Sequence, residues 1–287
     1  MQLSRETFDE LRRLIHRLCG IVLSDDKTYL VQHRLEPLVR RSGGQSFEEF
    51  RQKLSGSEAP LWQEAVIEAI TTQETSFFRD RHPFETLRRQ VLPELVQASR
   101  VTRGGLPPAK IRIWCAGAAT GQEPYSLAIV IHEFAAAQRP SSLAPGDFSI
   151  LATDISTKAL ATASAGEYHP QHLARGLSPG QIQRFFEQCD ELWVARPALR
   201  KMVEFRRVNL TQPFLGLGTF DVILCRNVLI YFDEATRRRI CDQFHTMLAD
   251  GGWLVLGSAE NLYGISDRFL SQRLGESLLY RKAPRIG

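Results

Sequence analysis

The chain has 287 residues, 43% hydrophobic and 24% charged, which is ordinary globular composition for one large or two modest domains. A net charge of +4 is too mild to demand a nucleic-acid partner, and no apolar run approaches the roughly 18 residues of a membrane span. The five scattered cysteines show no C-x-x-C spacing and the first ten residues are too polar for a signal peptide, so a cytoplasmic protein with reduced thiols is expected.

Residues 1–70 predict helices throughout. Phe8, Leu11, Ile15 and Leu18 share one helical face between a Ser4 cap and a Gly20 stop. A second helix runs from Asp25 or Asp26 to Arg41, with Pro37 expected to kink or restart it. Its Lys27, Arg34, Arg40 and Arg41 are largely offset by Asp25, Asp26 and Glu36, which from composition reads as a solvated face. Ser46 and Glu49 form a capping-box pattern for a third helix, and a fourth lies between Pro60 and Ile70.

The segment T-T-Q-E-T-S-F-F-R-D, residues 71–80, lacks the Gly/Ser/Pro composition of an ordinary linker. Phe77 and Phe78 either pack a domain junction or belong to a site. A helix follows over about Pro83 to Ser99, then a surface loop, V-T-R-G-G-L-P-P-A-K.

Ile111, Ile113 and Cys115 alternate as a short strand, Gly117 to Gly121 break it, and Glu123 to Ala137 reads as an apolar helix. Strand, small-residue turn and helix open a doubly wound α/β domain, where ligands sit at the carboxyl ends of the strands. Gly117 and Gly121 allow close backbone approach, although G-A-A-T-G alone also fits an ordinary tight turn. The next strand, Phe148 to Thr153, ends at Asp154, either a ribose-binding carboxylate or a helix cap. Its distance of 37 residues from Gly117 exceeds the roughly 20 of the dinucleotide fingerprint, which speaks against NAD.

Residues 166–207 read as an inserted subdomain, with strands at L-W-V-A and V-E-F-R-R-V and a short helix at Q-I-Q-R-F-F-E. His169 and His172 have no third ligand nearby, and no metal is expected. In F-D-V-I-L-C-R-N-V-L-I-Y-F, residues 220–232, Arg226 and Asn227 interrupt an apolar run; they serve either a site or a buried salt bridge. Asp233 starts a helix to about Ala249 that Gly251-Gly252 end; the strands W-L-V-L-G and S-L-L-Y-R follow. A nucleophile elbow, a phosphate loop and an H-E-x-x-H motif are all absent, which leaves hydrolase, NTPase and metalloenzyme readings unsupported.

With these pieces together, the chain resembles the CheR-type methyltransferases, which use S-adenosylmethionine (SAM) to methylate glutamates of bacterial chemoreceptors. The carriers are T-T-Q-E-T-S-F-F-R-D (71–80), W-C-A-G-A-A-T-G-Q-E-P-Y-S-L-A-I (114–129), A-T-D-I-S (152–156), N-L (209–210), C-R-N-V-L-I-Y-F (225–232) and G-S-A-E-N (257–261). The resemblance implies an α/β fold: a Rossmann-like methyltransferase sheet with a small antiparallel β subdomain, preceded by an all-helical N-terminal domain. Residues 1–70 would be that helical domain, 71–107 a linker and helix closing over the cofactor, and 108–287 the catalytic domain.

By the same resemblance, Gln73, Thr75, Arg79, Gly117, Glu123, Asp154, Asn209, Leu210, Arg226 and Asn227 would bind the cofactor, which leaves as S-adenosylhomocysteine. Arg79 and Tyr231 would flank the methyl group and the incoming glutamate, and Arg34, Arg40 and Arg41 are candidates for docking the cytoplasmic part of a receptor. A monomer is expected, without nucleic acid or membrane insertion. Two departures stand out: Gln122 where the family usually has glutamate, and Glu36-Pro37 where basic residues are common. Two rivals stay open, a methyltransferase of another substrate class and a catalytically silent SAM-binding scaffold. The Asp/Asn-Pro-Pro-Tyr/Phe signature of amino-group DNA methylation is absent, against the first; intact Arg79 and Tyr231 speak against the second.

Overall fold

The computed structural model describes residues 1–101, 110–138 and 143–283. The surface loop expected at 101–110 therefore lies almost entirely outside the described residues.

The helical block comprises α1 (Arg5–Cys19), α2 (Thr28–Arg41), α3 (Phe47–Lys53) and α4 (Ala59–Ile70). The Ser4 hydroxyl accepts the Thr7 N–H to start α1, and Gly20, at φ 74°, ends it in the left-handed conformation that glycine adopts without a Cβ penalty. Phe8, Leu11 and Ile15 are fully buried and share a core with Val31, Leu35, Trp62 and Val66. Pro37 does not restart α2, which stays one helix after a 3-10 turn at Asp25–Lys27. Pro37 is exposed, so water can take the hydrogen bond that its missing N–H leaves open. The Ser46 hydroxyl caps α3 by accepting the Glu49 N–H, but the Glu49 carboxylate returns to the Gln45 N–H, one residue before the cap.

Residues 71–81 form an irregular strap that leads into one helical run: α5 (His82–Thr86), a π-turn (Leu87–Val91) and α6 (Leu92–Val101). Then come β1 (Ile111–Ala116), α7 (Gln122–Ala137), β2 (Phe148–Asp154) and α8 (Thr157–Ala165). The insertion holds β3 (Glu167–Tyr168), α9 (Pro170–Ala174), α10 (Pro179–Phe185), β4 (Phe186–Cys189), β5 (Leu192–Ala195) and α11 (Pro197–Arg200). The chain continues through β6 (Val203–Arg207), β7 (Phe220–Cys225), α12 (Glu234–Met247), β8 (Leu248–Leu256), β9 (Phe269–Leu274) and β10 (Ser277–Lys282).

The main sheet has seven strands in the order β6-β2-β1-β7-β8-β10-β9, and β3, β5 and β4 make a separate three-stranded antiparallel sheet. The first five strands of the main sheet run parallel; β10 and β9 close it as an antiparallel hairpin. Both faces are buried, as parallel strands require: Ile111, Ile113 and Cys115 point into one core, and Trp114 and Ala116 into the other.

Three further expectations are corrected. V-E-F-R-R, read as part of the insertion, is the edge strand β6 of the main sheet, parallel to β2. Phe269–Leu274, not read as a strand, pairs with β10; only Phe269 of it is buried, so an edge strand shows no clean alternation. Gly251-Gly252 lie inside β8 instead of ending α12, and the pairing with β7 shifts register between Phe220 and Val222.

Gly117 follows β1 at φ 90°, and a Cβ there would stand 2.4 Å from a Val228 methyl carbon. Gly117→Ala is expected to lower unfolding stability in urea by about 2 kcal/mol, from the strained φ and the overlap together. A loss under about 0.5 kcal/mol, within the range of a neutral surface change, would contradict this packing.

Candidate active site

A cavity of about 370 Å³ lies at the carboxyl ends of β1, β2 and β7, walled by the strap and the helical block. This is where open α/β sheets bind ligands. Gln73, Thr75, Arg79, Gly117, Glu123, Asp154, Asn209, Leu210, Arg226, Asn227 and Tyr231 all line it.

The Asp154 carboxylate accepts the N–H groups of Ala119 and Ser156, both at 2.9 Å. Asp154 is not the cap of α8; Ser156 is, through its hydroxyl and the Ala159 N–H. Burial pushes the Asp154 carboxyl above the usual aspartate range, against the pull of those backbone donors. Each oxygen receives one backbone N–H, so acceptor capacity remains.

Arg226 makes a buried salt bridge and also lines the cavity. Its side chain is 1% exposed; Nη1 meets Glu123 at 3.0 Å and Nη2 meets Asp80 at 2.8 Å. Nη2 also donates to the carbonyl oxygen of Arg79 at 2.8 Å. Burial raises the Glu123 carboxyl, and Arg226 pulls it the other way. Arg226 thus joins the end of β7, the start of α7 and the strap. The strap is bent there: Phe78, Asp80 and Arg81 have φ of 49°, 65° and 47°, which non-glycine residues rarely adopt. Phe77 packs edge-on against Tyr168 and Phe186 of the insertion, within the core of the α/β domain.

Asn227 also has positive φ, 58°. The Glu260 carboxylate holds this turn by accepting four backbone N–H groups, from Asn227 (2.7 Å), Val228 (3.0 Å), Ile230 (3.2 Å) and Gly257 (2.8 Å). Sequence reasoning missed Glu260; the quoted segment G-S-A-E-N was the one signal that could have found it. Asn209 binds inward: its amide donates to the Leu18 carbonyl and accepts from the Thr211 N–H and hydroxyl, which ties the cavity to α1.

Among the docking candidates, Arg34 is corrected. Its guanidinium lines the cavity and donates to the carbonyls of Ile70 (2.5 Å) and Thr71 (3.2 Å) at the end of α4, where a cation suits the free carbonyls. Arg40 is exposed and pairs with Glu36, and exposed Arg41 lies over the Trp62 ring. Gln122 is buried and accepts the Thr120 hydroxyl at 2.8 Å. His169 and His172 contact each other edge-on, and no His/Cys/Asp/Glu group that could hold a metal occurs among the described residues. Among those residues no helix is long and apolar enough to cross a membrane.

Two buried atoms of the lining, Gln73 Oε1 and Asn227 Oδ1, have no hydrogen-bond partner among the described residues. Unsatisfied buried acceptors are costly, and together with the Asp154 carboxylate they fit a polar ligand bearing hydroxyl and amino donors.

The family model for the CheR methyltransferase SAM binding domain matches residues 73–275, and that for the CheR methyltransferase all-alpha domain matches residues 6–71. A chemotaxis protein methyltransferase of Pseudomonas aeruginosa is 40% identical over 98% of this chain and 99% of its own. Another from Pseudomonas putida is 37% identical over 96% of this chain and 97% of its own. A third, from Vibrio parahaemolyticus, is 38% identical over 97% of this chain and 98% of its own.

Burial favours the protonated form of Asp154, so it takes up its proton at higher pH than an exposed aspartate, ordinarily about 3.9. Accepting hydroxyl donors on both oxygens requires the ionised form. SAM affinity measured by calorimetry is therefore expected to be full at neutral pH and to fall as pH drops through that raised value. Asp154→Asn should bind weakly with a flatter profile in the same window; an unchanged profile would remove Asp154 from the binding site.

Proposed function

The chain belongs to the CheR methyltransferase family and is a SAM-dependent methyltransferase, and from that premise we propose that it esterifies glutamate side chains on the cytoplasmic helices of a bacterial chemoreceptor or related sensory receptor. It would act as a cytoplasmic monomer, with no nucleic acid involved. The observation that carries the reading is that Arg79 and Tyr231 line the same cavity as Asp154 and Gly117. A cationic fork and a phenol thus share the chamber with the carboxylate and the close backbone approach suited to a nucleoside.

Bound SAM supplies a methyl group already activated by its sulfonium. A glutamate carboxylate, with an ordinary pKa of about 4.3, is ionised near neutral pH and needs no general base. The protein's task is to exclude water and align the acceptor, a positioning effect. Arg79 keeps most of its guanidinium free for this, since it makes one internal hydrogen bond, at 3.2 Å to the Glu74 carbonyl, among the described residues. A forked pair of hydrogen bonds from Arg79 would orient the acceptor carboxylate, and the Tyr231 hydroxyl would donate another. Asp154 would take the ribose hydroxyls. Gln73 and Thr75 of the strap would cover the methionine end. Of the docking candidates, Arg40 and Arg41 remain available for a receptor; Arg34 holds the end of α4.

Transfer of labelled methyl from SAM to receptor cytoplasmic fragments, followed by release of the label in mild base, tests the reading. Base-labile label is expected, and Arg79→Ala should reduce its rate about 100-fold, as loss of an oriented charged contact does, while the fold stays intact by circular dichroism. Base-stable label would move the nucleophile off a carboxylate, and near-normal turnover by Arg79→Ala would end its assigned role.

A further inference from the structure

A second cavity, of about 310 Å³, lies against the strap and borders the insertion. Glu74, Thr75, Ser76 and Arg79 line both this cavity and the one at the strand ends, so the strap is the wall between them. The additional basic lining comes from Arg81 of the strap and Arg175 of the loop after α9. Both side chains are exposed, and among the described residues neither makes a salt bridge or a side-chain hydrogen bond.

The charges do not cancel. Three arginines, Arg79, Arg81 and Arg175, share the lining with two acids, of which Glu74 is exposed and Asp80 is engaged by Arg226. The arrangement is also held in place. A Cβ at Gly176 would stand 1.9 Å from the Phe77 carbonyl oxygen, so the loop carrying Arg175 packs directly onto the strap's backbone. The positive φ of Arg81 fixes where its side chain leaves the strap.

We propose that Arg81 and Arg175 form a carboxylate-binding subsite for the acceptor polypeptide, taking a second acidic side chain beside the glutamate that Arg79 receives. Arg79 supplies the continuity, since it borders both chambers. The inference rests on the acidic acceptor named above. It makes the strap a two-sided element, with cofactor on one face and the acceptor's neighbouring charge on the other. Substrate choice then depends on acidic residues near the target as well as on the target itself. Such contacts at a solvent-facing site act on encounter and salt dependence more than on the chemical step.

The test uses the full chain and the receptor cytoplasmic fragment that the wild type methylates best. For Arg81→Gln/Arg175→Gln, KM for the fragment is expected to rise about tenfold and kcat to stay within about twofold. The fall of kcat/KM with added salt should become shallower, and SAM affinity by calorimetry should be unchanged, which also reports an intact fold. Unchanged KM and salt slope would overturn the subsite and leave the carboxyl-methylation reading standing. Failure of the wild type to place base-labile label on any fragment would overturn that reading and the subsite with it.

Discussion

A single buried cation organises this active site. Arg226 sits at the end of a strand in the middle of the sheet, almost without solvent contact, between the carboxylates of Glu123 and Asp80. A charge in that position is tolerable only when its partners are well placed, because the loss of hydration is large. The two partners come from different parts of the chain, one from the first turn of α7 and one from the strap. Satisfying Arg226 therefore sets where the strap lies over the glycine turn. The unusual backbone angles at Phe78, Asp80 and Arg81 persist because packing and the ion pairs together over-determine them.

The helical block completes the chamber. Asn209 donates to the Leu18 carbonyl, the Val22 N–H donates to the Tyr231 carbonyl, and His16 meets Asp233 at 2.7 Å. Ile21 also forms a bridge with Phe232. These contacts tie α1 and the segment after it to the turn that carries Tyr231. Glu260 holds that turn from the other side through its four backbone donors. The residues around Tyr231 are thus fixed by three elements far apart in sequence.

The parts of this design that were legible in the sequence are those with a local signal. The caps at Ser4 and Gly20, the strand before Gly117 and the helix after Gly121 each announce themselves within a few residues. The cavity lining was reached through motif resemblance, and the structure brings those residues together. What was not legible depends on distance. Arg226 meets Glu123 across 103 residues and Asp80 across 146, so nothing local distinguishes a salt bridge from a ligand contact. Arg34 looked like a surface cation because the α4 carbonyls it serves are 36 residues away and carry no sequence mark. The strand Val203–Arg207 was assigned to the insertion because its pairing partner, β2, precedes the whole insertion. Edge strand β9 has too little buried surface to produce a period.

The Arg226 ion pairs hold the strap over the cavity at the strand ends. The direct measurement is SAM affinity together with hydrogen exchange across residues 73–81 in Asp80→Ala, which removes the strap's carboxylate from the network and leaves the Arg79 carbonyl contact and the pair with Glu123. Faster exchange in the strap and SAM binding weaker by about tenfold, the size of losing one charge-assisted contact, are expected, with protection of the sheet strands unchanged. Wild-type affinity and wild-type strap protection in that variant would contradict it.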